Sequence, residues 1–558
     1  MSSRPSANEI FMDQLPNQSR DRRRQCSAST HGEGEGQQKA KLETRLVRQS
    51  LRTRHVSFIS LAGAIGGGLF LSTGSTLAHA GPISLLVGYA IMSSVVISVV
   101  FCMAELSCLV PTTGAYIRHA AMFVDPALGF TIGWSIVFAD AVANPAGIVS
   151  LIVLCQYWAP DLDAALPVCF FVLASLVTNI WDVRVYAELE SFFAMLKILT
   201  VIGLNILSLC VALGAGRHGK TVGFRYWTEP APFKAYLVDG PIGQFIGFWS
   251  VMVSAVYSYS GIEATSFIAA ETRSPRQVIA RASKGVFFRV GFIYMCSLFF
   301  LSMAVSSTEP RLTSQEGNAL ASPFVIAANR VGITGIASIV NALILLSVFS
   351  SNNTCLLAAS RALMGLALDG HAPRFFAETH RWGIPMWGVL VCAAFMPLAF
   401  TVYSQEASIV FEYFVSIGAS GTLMEWIVIC WTTVRLHSGM REQGISQESL
   451  PFCPWGQPWL AWYGLVMSVL CAVTNGFTLF IGEGLPRLTA QRLISAYAMP
   501  IITILLYLAF KIIRRTRFIQ SRDMRIRPWL DQWKENPEQW IEPARGWGRL
   551  LSLLWSHD

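Results

Sequence analysis

Two short polar segments interrupt apolar stretches of the sequence, and their backbone atoms could bind a charged ligand. The first contains three consecutive glycines at 66–68, and the second covers residues 257–261. Backbone N–H and C=O groups freed inside a membrane are tolerated only where they line a cavity or contact a ligand. N–H groups at the start of a half-helix attract anions, and exposed carbonyl oxygens attract cations. The pair of segments could therefore line a binding site.

The residues of these two segments are the candidate binding residues. The N–H groups of the glycine run are suited to an anionic group of a ligand, and nearby carbonyl groups are suited to a cationic group. Those carbonyl groups are at Ala64, Ile65, Tyr257 and Ser260. Close helix packing is the alternative explanation for the glycines. The full candidate set is Ala64, Ile65, Gly66, Gly67, Gly68, Tyr257, Ser258, Tyr259, Ser260, Gly261 and Ile262.

Several ionisable side chains also lie inside apolar stretches, where a charge is costly and usually functional. Glu263 directly follows the second interruption, and a carboxylic acid there could take up and release a proton. The structural alternative is a hydrogen-bonded Glu263 that fixes its helix against a neighbour. Asp140, Glu105 and Lys197 are further candidates, and Glu425 could line the same path.

Amide and hydroxyl side chains complete the candidate set. Residues 350–353 form a polar run, Ser-Ser-Asn-Asn, which should face protein or a cavity because it would be costly against lipid. Such a run could contact a cation or a ligand, or it could form hydrogen bonds between helices. Asn144 precedes Pro145 and could satisfy the backbone at that kink. Ser350, Asn352 and Asn144 are therefore candidates for coupling or gating.

The elements that carry these residues are predicted to cross a membrane. Of the 558 residues, 53% are hydrophobic and only 14% are charged. Apolar stretches of about 20 residues recur, each long enough to span a bilayer as a helix. This composition argues against a soluble enzyme, a nucleic-acid-binding domain and a disordered scaffold. We predict twelve spans, at 56–78, 83–108, 127–157, 163–182, 189–214, 241–270, 285–307, 332–360, 385–403, 409–435, 459–482 and 492–514.

The distribution of positive charge orients the predicted spans. The loops and flanking segments on the side of the two tails carry 24 Lys and Arg, against 8 on the other side. Lys and Arg concentrate on the cytoplasmic side, so both tails are predicted to be cytoplasmic. Residues 1–55 form a polar N-terminal tail that we expect to be disordered, without a signal peptide. The Trp-rich C-terminal tail at 515–558 is predicted either to lie on the membrane surface or to be flexible.

The two interruptions fall in the first and sixth spans, five spans apart. Interrupted spans at matching positions of two halves are typical of inverted-repeat transporters. We therefore predict one transporter domain at 56–514, with repeats at about 56–214 and 241–435 and two extra helices at about 459–514.

Four ordered blocks resemble the fungal amino-acid permeases of the amino acid–polyamine–organocation superfamily. They read SFISLAGAIGGGLFLSTGSTLAHAGPISLLVGY at 57–89, FVDPALGFTIGW at 123–134, YSYSGIEATSFIAAETRSPRQVIARASKGVFFR at 257–289 and SSNNTCLLAASRALMGLALDGHAPRFF at 350–376. The resemblance implies an all-α membrane protein with twelve helices and a LeuT-type core of five plus five helices, broken at helices 1 and 6. It also implies proton-coupled uptake of amino acids at the plasma membrane. In such a core, a cation such as Lys197 can stand in for a bound sodium ion; alternatively, Lys197 extends towards an interface.

The chain departs from the pattern of the family at three positions. Thr is usual where this chain has Ala64 and Gly67, and the third helix usually carries Pro-Ala-Glu where this chain has Gly147. Asp140 lies seven residues before Gly147 on nearly the same helix face, so we expect it to replace part of the missing carboxylate. Alternatively, Asp140 lies nearer the membrane edge and is solvated.

No catalytic, metal-binding or nucleotide-binding pattern appears in the sequence, so neither an enzyme activity nor a cofactor is predicted. The expected partners are an amino-acid substrate, protons and the lipid bilayer, without nucleic acid, and the oligomeric state stays open. Two alternatives to a proton-coupled transporter remain. One is an amino-acid sensor with little flux, and the other is a permease of an amine or a modified amino acid.

Overall fold

The structure is a computed structural model, and it describes most of the chain after residue 64. The described residues are 65–112, 114–181, 183–215, 221–229, 231–263, 266–267, 274–286, 291–312, 322–333, 335–380, 383–403, 407–481, 490–535 and 538. Ala64, the predicted N-terminal tail and the first part of the predicted first span lie outside these residues.

All regular secondary structure within the described ranges is helical. A π-helical turn, Gly68–Ser72, leads into α1. The α-helices are α1 (Thr73–Ala80), α2 (Pro82–Leu109), α3 (Ala115–Phe123), α4 (Pro126–Cys155), α5 (Ala165–Ile180), α6 (Val183–Ala212), α7 (Arg225–Thr228), α8 (Gly240–Tyr259), α9 (Pro275–Val286), α10 (Ile293–Ala304), α11 (Pro323–Val331), α12 (Ile336–Leu368), α13 (Met386–Ala393), α14 (Ala407–Glu442), α15 (Trp459–Thr474), α16 (Ala490–Arg514) and α17 (Arg527–Glu535). Short 3₁₀ helices cover Pro310–Leu312, Arg374–Ala377, Met396–Tyr403, Gln447–Ser449, Phe477–Leu479 and Ser521–Asp523.

Eight helical segments among the described residues are long and apolar enough to cross a membrane. They are Pro82–Leu109, Pro126–Cys155, Val185–Ala212, Ile336–Leu368, Met386–Tyr403, Ile409–Glu442, Trp459–Leu479 and Ala490–Arg514. Two shorter apolar helices, Ala165–Ile180 and Ile293–Ala304, accompany them. Every one of these segments lies within or around a predicted span, whereas the count of twelve stays a prediction.

Helix α4 lies at the centre of the bundle. Its start is specified locally: Pro126 occupies the first turn, and the Asp125 side chain accepts a hydrogen bond of 2.9 Å from the backbone N–H of Ala127. Pro145 lies inside the helix. Helices α3, α12, α14 and α16 all pack against α4, so the residues on its faces meet several neighbours at once.

The sixth predicted span is interrupted where the sequence indicates. Helix α8 ends at Tyr259, and Gly261 has a φ of +92°, a backbone conformation that favours glycine. The residues before this point therefore belong to a helix that stops inside the bundle and leaves its last carbonyl groups outside the helical pattern.

The short amphipathic helices between the long ones were not predicted. Hydropathy along the sequence indicates long apolar runs, and α3, α9, α11 and α17 are too short and too polar to be detected in this way. Helix α9, for example, buries Val278 and Ile279 against α2, although its sequence is mixed in polarity.

The segment after α16 packs onto the protein. Met524, Ile526 and Leu530 are buried in one cluster with Leu436 and Met440 of α14. The side chain of Gln443 donates a hydrogen bond of 2.8 Å to the backbone carbonyl of Met524. The described first half of the C-terminal tail is thus a docked element of the bundle.

Candidate functional site

A cavity in the middle of the bundle is lined by residues of both candidate binding segments. Gly66, Gly67 and Gly68 form one side, and Ser258, Ser260 and Gly261 contribute to another. Residues of α4, α12 and α14 close the remainder. The centre of a water molecule can occupy about 100 Å³ of this space. Since one water needs roughly 10–15 Å³ by that measure, the cavity suits a small ligand with several non-hydrogen atoms.

The three glycines of the first segment have different surroundings. A Cβ atom at Gly66 would lie 2.7 Å from the Ser351 hydroxyl, and one at Gly68 would lie 2.8 Å from the Ser258 hydroxyl. At Gly67 the nearest atom, the Ser150 hydroxyl, would be 3.5 Å away. Gly66 and Gly68 thus permit close packing, whereas Gly67 faces the more open space.

The second segment is held in place by its own hydrogen bonds. The Ser258 hydroxyl lies 2.8 Å from the Tyr89 hydroxyl, and Ser260 Oγ donates a bond of 2.7 Å to the carbonyl of Tyr257. Glu263 Oε1 accepts a bond of 3.0 Å from the backbone N–H of Gly261. Glu263 Oε2 is buried without a hydrogen-bond partner in the described part of the chain. Glu263 therefore both fixes the turn and presents a second oxygen at the cavity that it lines.

Three described residues of the candidate binding set do not line this cavity. The Ile65 carbonyl accepts a hydrogen bond of 2.8 Å from Ser351 Oγ. Tyr259 is fully buried, with its hydroxyl 2.7 Å from that of Ser93. Ile262 lines a separate, smaller cavity against α2 and α9. Tyr257, by contrast, lines the central cavity.

One face of α4 runs along the cavity. Asp140, Ala143, Gly147 and Ser150 all line it, at the spacing of residues that share a helix face. Asp140 is near the middle of the 30-residue helix and lines the cavity. Glu425 is not part of the lining, but its carboxylate accepts a hydrogen bond of 2.8 Å from Tyr116, which lines the cavity. Asp140 and Glu263 therefore line the cavity, and a third carboxyl group lies behind Tyr116.

The polar run in α12 divides between structural and cavity positions. Ser350 Oγ donates a hydrogen bond to Glu190 of α6, and the amide of Asn179 donates one of 3.5 Å to Asn353. Asn352 lines the cavity, is only 4% exposed, and neither its Oδ1 nor its Nδ2 has a partner among the described residues. A Cβ atom at Gly147 would lie 2.7 Å from Asn352 Cγ and closer still to its Oδ1. The absence of a side chain at Gly147 therefore makes the room that Asn352 fills.

Lys197 lies inside the bundle and does not extend to an interface. Its side chain is 1% exposed, and its Nζ donates a hydrogen bond of 2.9 Å to Ser351 Oγ. Ser351 Oγ in turn donates to the Ile65 carbonyl at the first interruption. Glu190, two helical turns before Lys197 in α6, is the nearby charge of opposite sign. Lys197 is thus linked to the first interruption through one hydroxyl group.

Two further candidates lie away from the cavity. Glu105 Oε1 lies 2.8 Å from Nε2 of His437, near the ends of α2 and α14. The Asn144 side chain donates a hydrogen bond of 2.8 Å to the carbonyl of Asp140, one turn back from the Pro145 kink. Glu105 thus connects two helices, and Asn144 bonds to the backbone of its own helix beside the kink.

Several cavity residues were missed from the sequence. Tyr116 lies on the short helix α3 and donates a hydrogen bond of 2.8 Å to Glu425. Thr422 and Cys355 also line the cavity but resemble ordinary residues of an apolar helix. Glu190 had a detectable signal, because it is an acid within a predicted span, two turns from Lys197.

Comparisons with known proteins place this arrangement in a family. The family model described as amino acid permease matches residues 55–522. The dicarboxylic amino acid permease of Saccharomyces cerevisiae is 32% identical, over 86% of this chain and 80% of the relative. The basic amino-acid permease of the same yeast is 30% identical, over 92% of this chain and 89% of the relative. The proline-specific permease of Emericella nidulans is 30% identical, over 90% of this chain and 94% of the relative.

Among solved structures, the substrate-bound outward-open state of a sodium-coupled sialic acid symporter matches with a TM-score of 0.45. Its sequence is 12% identical, over 77% of this chain and 90% of that chain. The family match and the eight apolar helices together identify a multi-pass membrane protein. The chain belongs to the amino acid permease family.

Proposed function

We propose that this protein is a secondary active transporter that takes up amino acids with protons. The observation that carries the proposal is the central cavity bounded by both interrupted segments. In our proposal the chain has twelve spans in a LeuT-type arrangement of two repeats, and the cavity opens to each side of the membrane in turn. Both tails are in the cytoplasm, and the membrane is the plasma membrane.

The backbone at the two interruptions recognises the part common to all amino acids. The N–H groups around Gly67 and Gly68, where the π-helical turn begins, bind the substrate carboxylate. Gly67 is suited to this role because the space beside it is open. Carbonyl groups beside Ser260, where the second segment lines the cavity, bind the ammonium group. A backbone site explains how the chain can differ from the family pattern at Gly67 and keep the same chemistry.

The link between Lys197 and the first interruption supports proton coupling. Protonated Lys197 donates to Ser351 and is attracted to Glu190, and Ser351 holds the Ile65 carbonyl. A cation at this position holds α6, α12 and the first interruption together without a metal ion. Loss of its proton removes the attraction to Glu190 and weakens that connection, which couples protonation to the shape of the cavity.

Uptake by cells that lack their own amino-acid permeases tests this function. Labelled amino acids are supplied at pH 5 and at pH 7, with and without an uncoupler, and surface delivery of the protein is measured in parallel. We expect uptake that is faster at pH 5 and is lost with the uncoupler. No uptake of any amino acid by a normally delivered protein would refute amino-acid transport.

Substitution of Lys197 tests the coupling separately. We expect Lys197→Gln to remove the pH dependence and the uncoupler sensitivity of uptake. The control is Arg225→Gln, which removes a cation whose side chain is 69% exposed. Unchanged pH dependence in a delivered Lys197→Gln protein would contradict the coupling role and leave amino-acid transport intact.

The docked C-terminal segment favours sensing as a second candidate function. Residues 519–530 pack against α14 and the end of α3, so a conformational change of the bundle can alter the tail. A sensor would bind an amino acid with little flux. It would be recognised by an amino-acid-dependent shift in the thermal stability of a protein that shows no uptake.

A further inference from the structure

The charged groups that line the central cavity are all acidic in the described part of the chain. Asp140 and Glu263 line it, and Glu425 lies behind the Tyr116 hydroxyl. No Lys, Arg or His contributes to the described lining. Lys197 stands behind Ser351, on the side of the first interruption. The charged side chains described at the end of the cavity near Asp140 are therefore carboxyl groups, and no protein cation lines that end among the described residues.

An unpartnered amide in the same cavity indicates a polar ligand. Asn352 is buried, lines the cavity, and leaves both Oδ1 and Nδ2 without a hydrogen-bond partner in the described residues. Buried polar groups in native proteins normally have partners, and an exception inside a cavity points to a ligand that supplies them. Glu263 Oε2 is a second buried atom without a partner at the same cavity.

The length of the cavity along α4 fits an extended ligand. Ser150 is next to Gly67, Gly147 is next to Asn352, and Asp140 is next to Cys355. Ten residues of helix separate Ser150 from Asp140, which is about 15 Å along the axis. A hydrogen bond of roughly 3 Å at each end leaves about 9 Å for the ligand. That is close to the span from the carboxylate to the terminal nitrogen of an extended basic amino acid, roughly 8–10 Å.

We propose that the substrate is an amino acid with a second cationic group at the end of its side chain. This inference rests on the proposed function. The α-carboxylate binds at the glycine run, the terminal cation binds between Asp140 and Glu263, and Asn352 bonds to the part of the ligand between these two ends. A ligand cation is attracted to these carboxyl groups and stabilises their ionised form, which a neutral side chain cannot do. A substrate with a second carboxylate is excluded, because like charges repel at that end of the cavity.

Arginine and citrulline provide the sharpest comparison. Their side chains have the same length and nearly the same shape, and only arginine is cationic. Uptake of both, and of glutamate, is measured in cells without their own permeases. We expect arginine to be preferred over citrulline by about tenfold or more, as a charge-assisted hydrogen bond implies, and glutamate to be excluded.

An Asp140→Asn variant tests whether the carboxylate of Asp140 determines the preference for a cationic side chain. It keeps the shape of the side chain and removes the charge, so the preference for arginine over citrulline should fall by about tenfold. The matched control is Glu229→Gln, which also replaces a carboxylate by its amide but at a side chain that is 69% exposed. If Asp140→Asn does not reach the membrane, two other measurements test the same prediction. The wild-type protein should prefer arginine over citrulline, and Glu263→Gln should reduce that preference.

The outcomes separate this inference from the proposed function. Equal or better uptake of citrulline, or preferred uptake of glutamate, would overturn the cationic substrate and leave amino-acid transport standing. A delivered Asp140→Asn protein with an unchanged preference would overturn the position of the site. No uptake of any amino acid in the full panel would overturn the proposed function itself.

Discussion

The contact between Gly147 and Asn352 allows a quantitative prediction for Gly147→Ala. The new Cβ atom would lie 2.7 Å from Asn352 Cγ and 3.1 Å from Asn352 Cβ. Ordinary contacts of a Cβ atom begin at 3.4 Å, so the shortfall at Cγ is about 0.7 Å. Since Cγ and Oδ1 move together about χ1, the amide must rotate out of its place at the cavity.

Two effects follow from that rotation. Overpacking of this kind costs about 1–3 kcal/mol of stability. In addition, the substrate loses a hydrogen bond to the amide, which is worth about 0.5–1.5 kcal/mol and raises KM by roughly two- to tenfold. We therefore expect Gly147→Ala to lower the midpoint temperature of aggregation in detergent and to raise KM for uptake.

A double variant separates the steric effect from a general effect of alanine. In Gly147→Ala with Asn352→Ala, the closest remaining approach is that of the two Cβ atoms, 3.1 Å, which small shifts can relieve. The double variant should regain at least about 1 kcal/mol of the stability lost by Gly147→Ala, and it should keep the raised KM. Gly203→Ala is the control, because no atom lies within 4 Å of its new Cβ.

The reasoning is refuted if Gly147→Ala matches Gly203→Ala in both stability and KM. It is also refuted if the double variant is no more stable than Gly147→Ala alone, because the clash would then lie elsewhere.

Three further perturbations follow from contacts of the described residues. Gly68→Ala should abolish uptake because its Cβ would meet the backbone of α8. Gly67→Ala should fold and show a raised KM. The amount of protein at the cell surface and the uptake kinetics distinguish the two variants. Ser351→Ala removes the hydroxyl between Lys197 and the first interruption, and with about 1 kcal/mol for each lost bond it should slow uptake several-fold at unchanged surface level. Ile526→Asp places a charge at a fully buried position and should cost about 2–4 kcal/mol of stability, measured as aggregation temperature, while the exposed Arg525→Asp should not.

The long helices of the bundle and the interruption after Tyr259 could be predicted because both depend on local sequence. Apolar runs of about 20 residues mark the long helices, and the cluster of glycines at 66–68 marks a backbone that must come close to its neighbours. The interruption after Tyr259 was predicted from the polar segment that precedes Glu263. Each of these signals lies within a few residues of the feature that it predicts.

The orientation of individual side chains could not be predicted in the same way. Tyr257 lines the cavity, whereas Tyr259, two residues later, is buried against Ser93. Successive helical residues differ by about 100° in direction, so the rotation of the helix decides which one reaches the cavity. That rotation depends on packing between helices, as do the contacts of Asn352 with Gly147, which is more than 200 residues away in the chain.

One turn of α12 contacts both Lys197 and the central cavity. Residues 350–353 point in four directions, about 100° apart. Ser350 and Asn353 bond to α6 and α5, which fixes the rotation of the helix. With that rotation fixed, Ser351 must meet Lys197 and Ile65, and Asn352 must face the cavity. In the proposed transport cycle, a ligand that bonds to Asn352 would act on the same turn of α12 that Lys197 contacts, so substrate binding and protonation of Lys197 would bias one structural element.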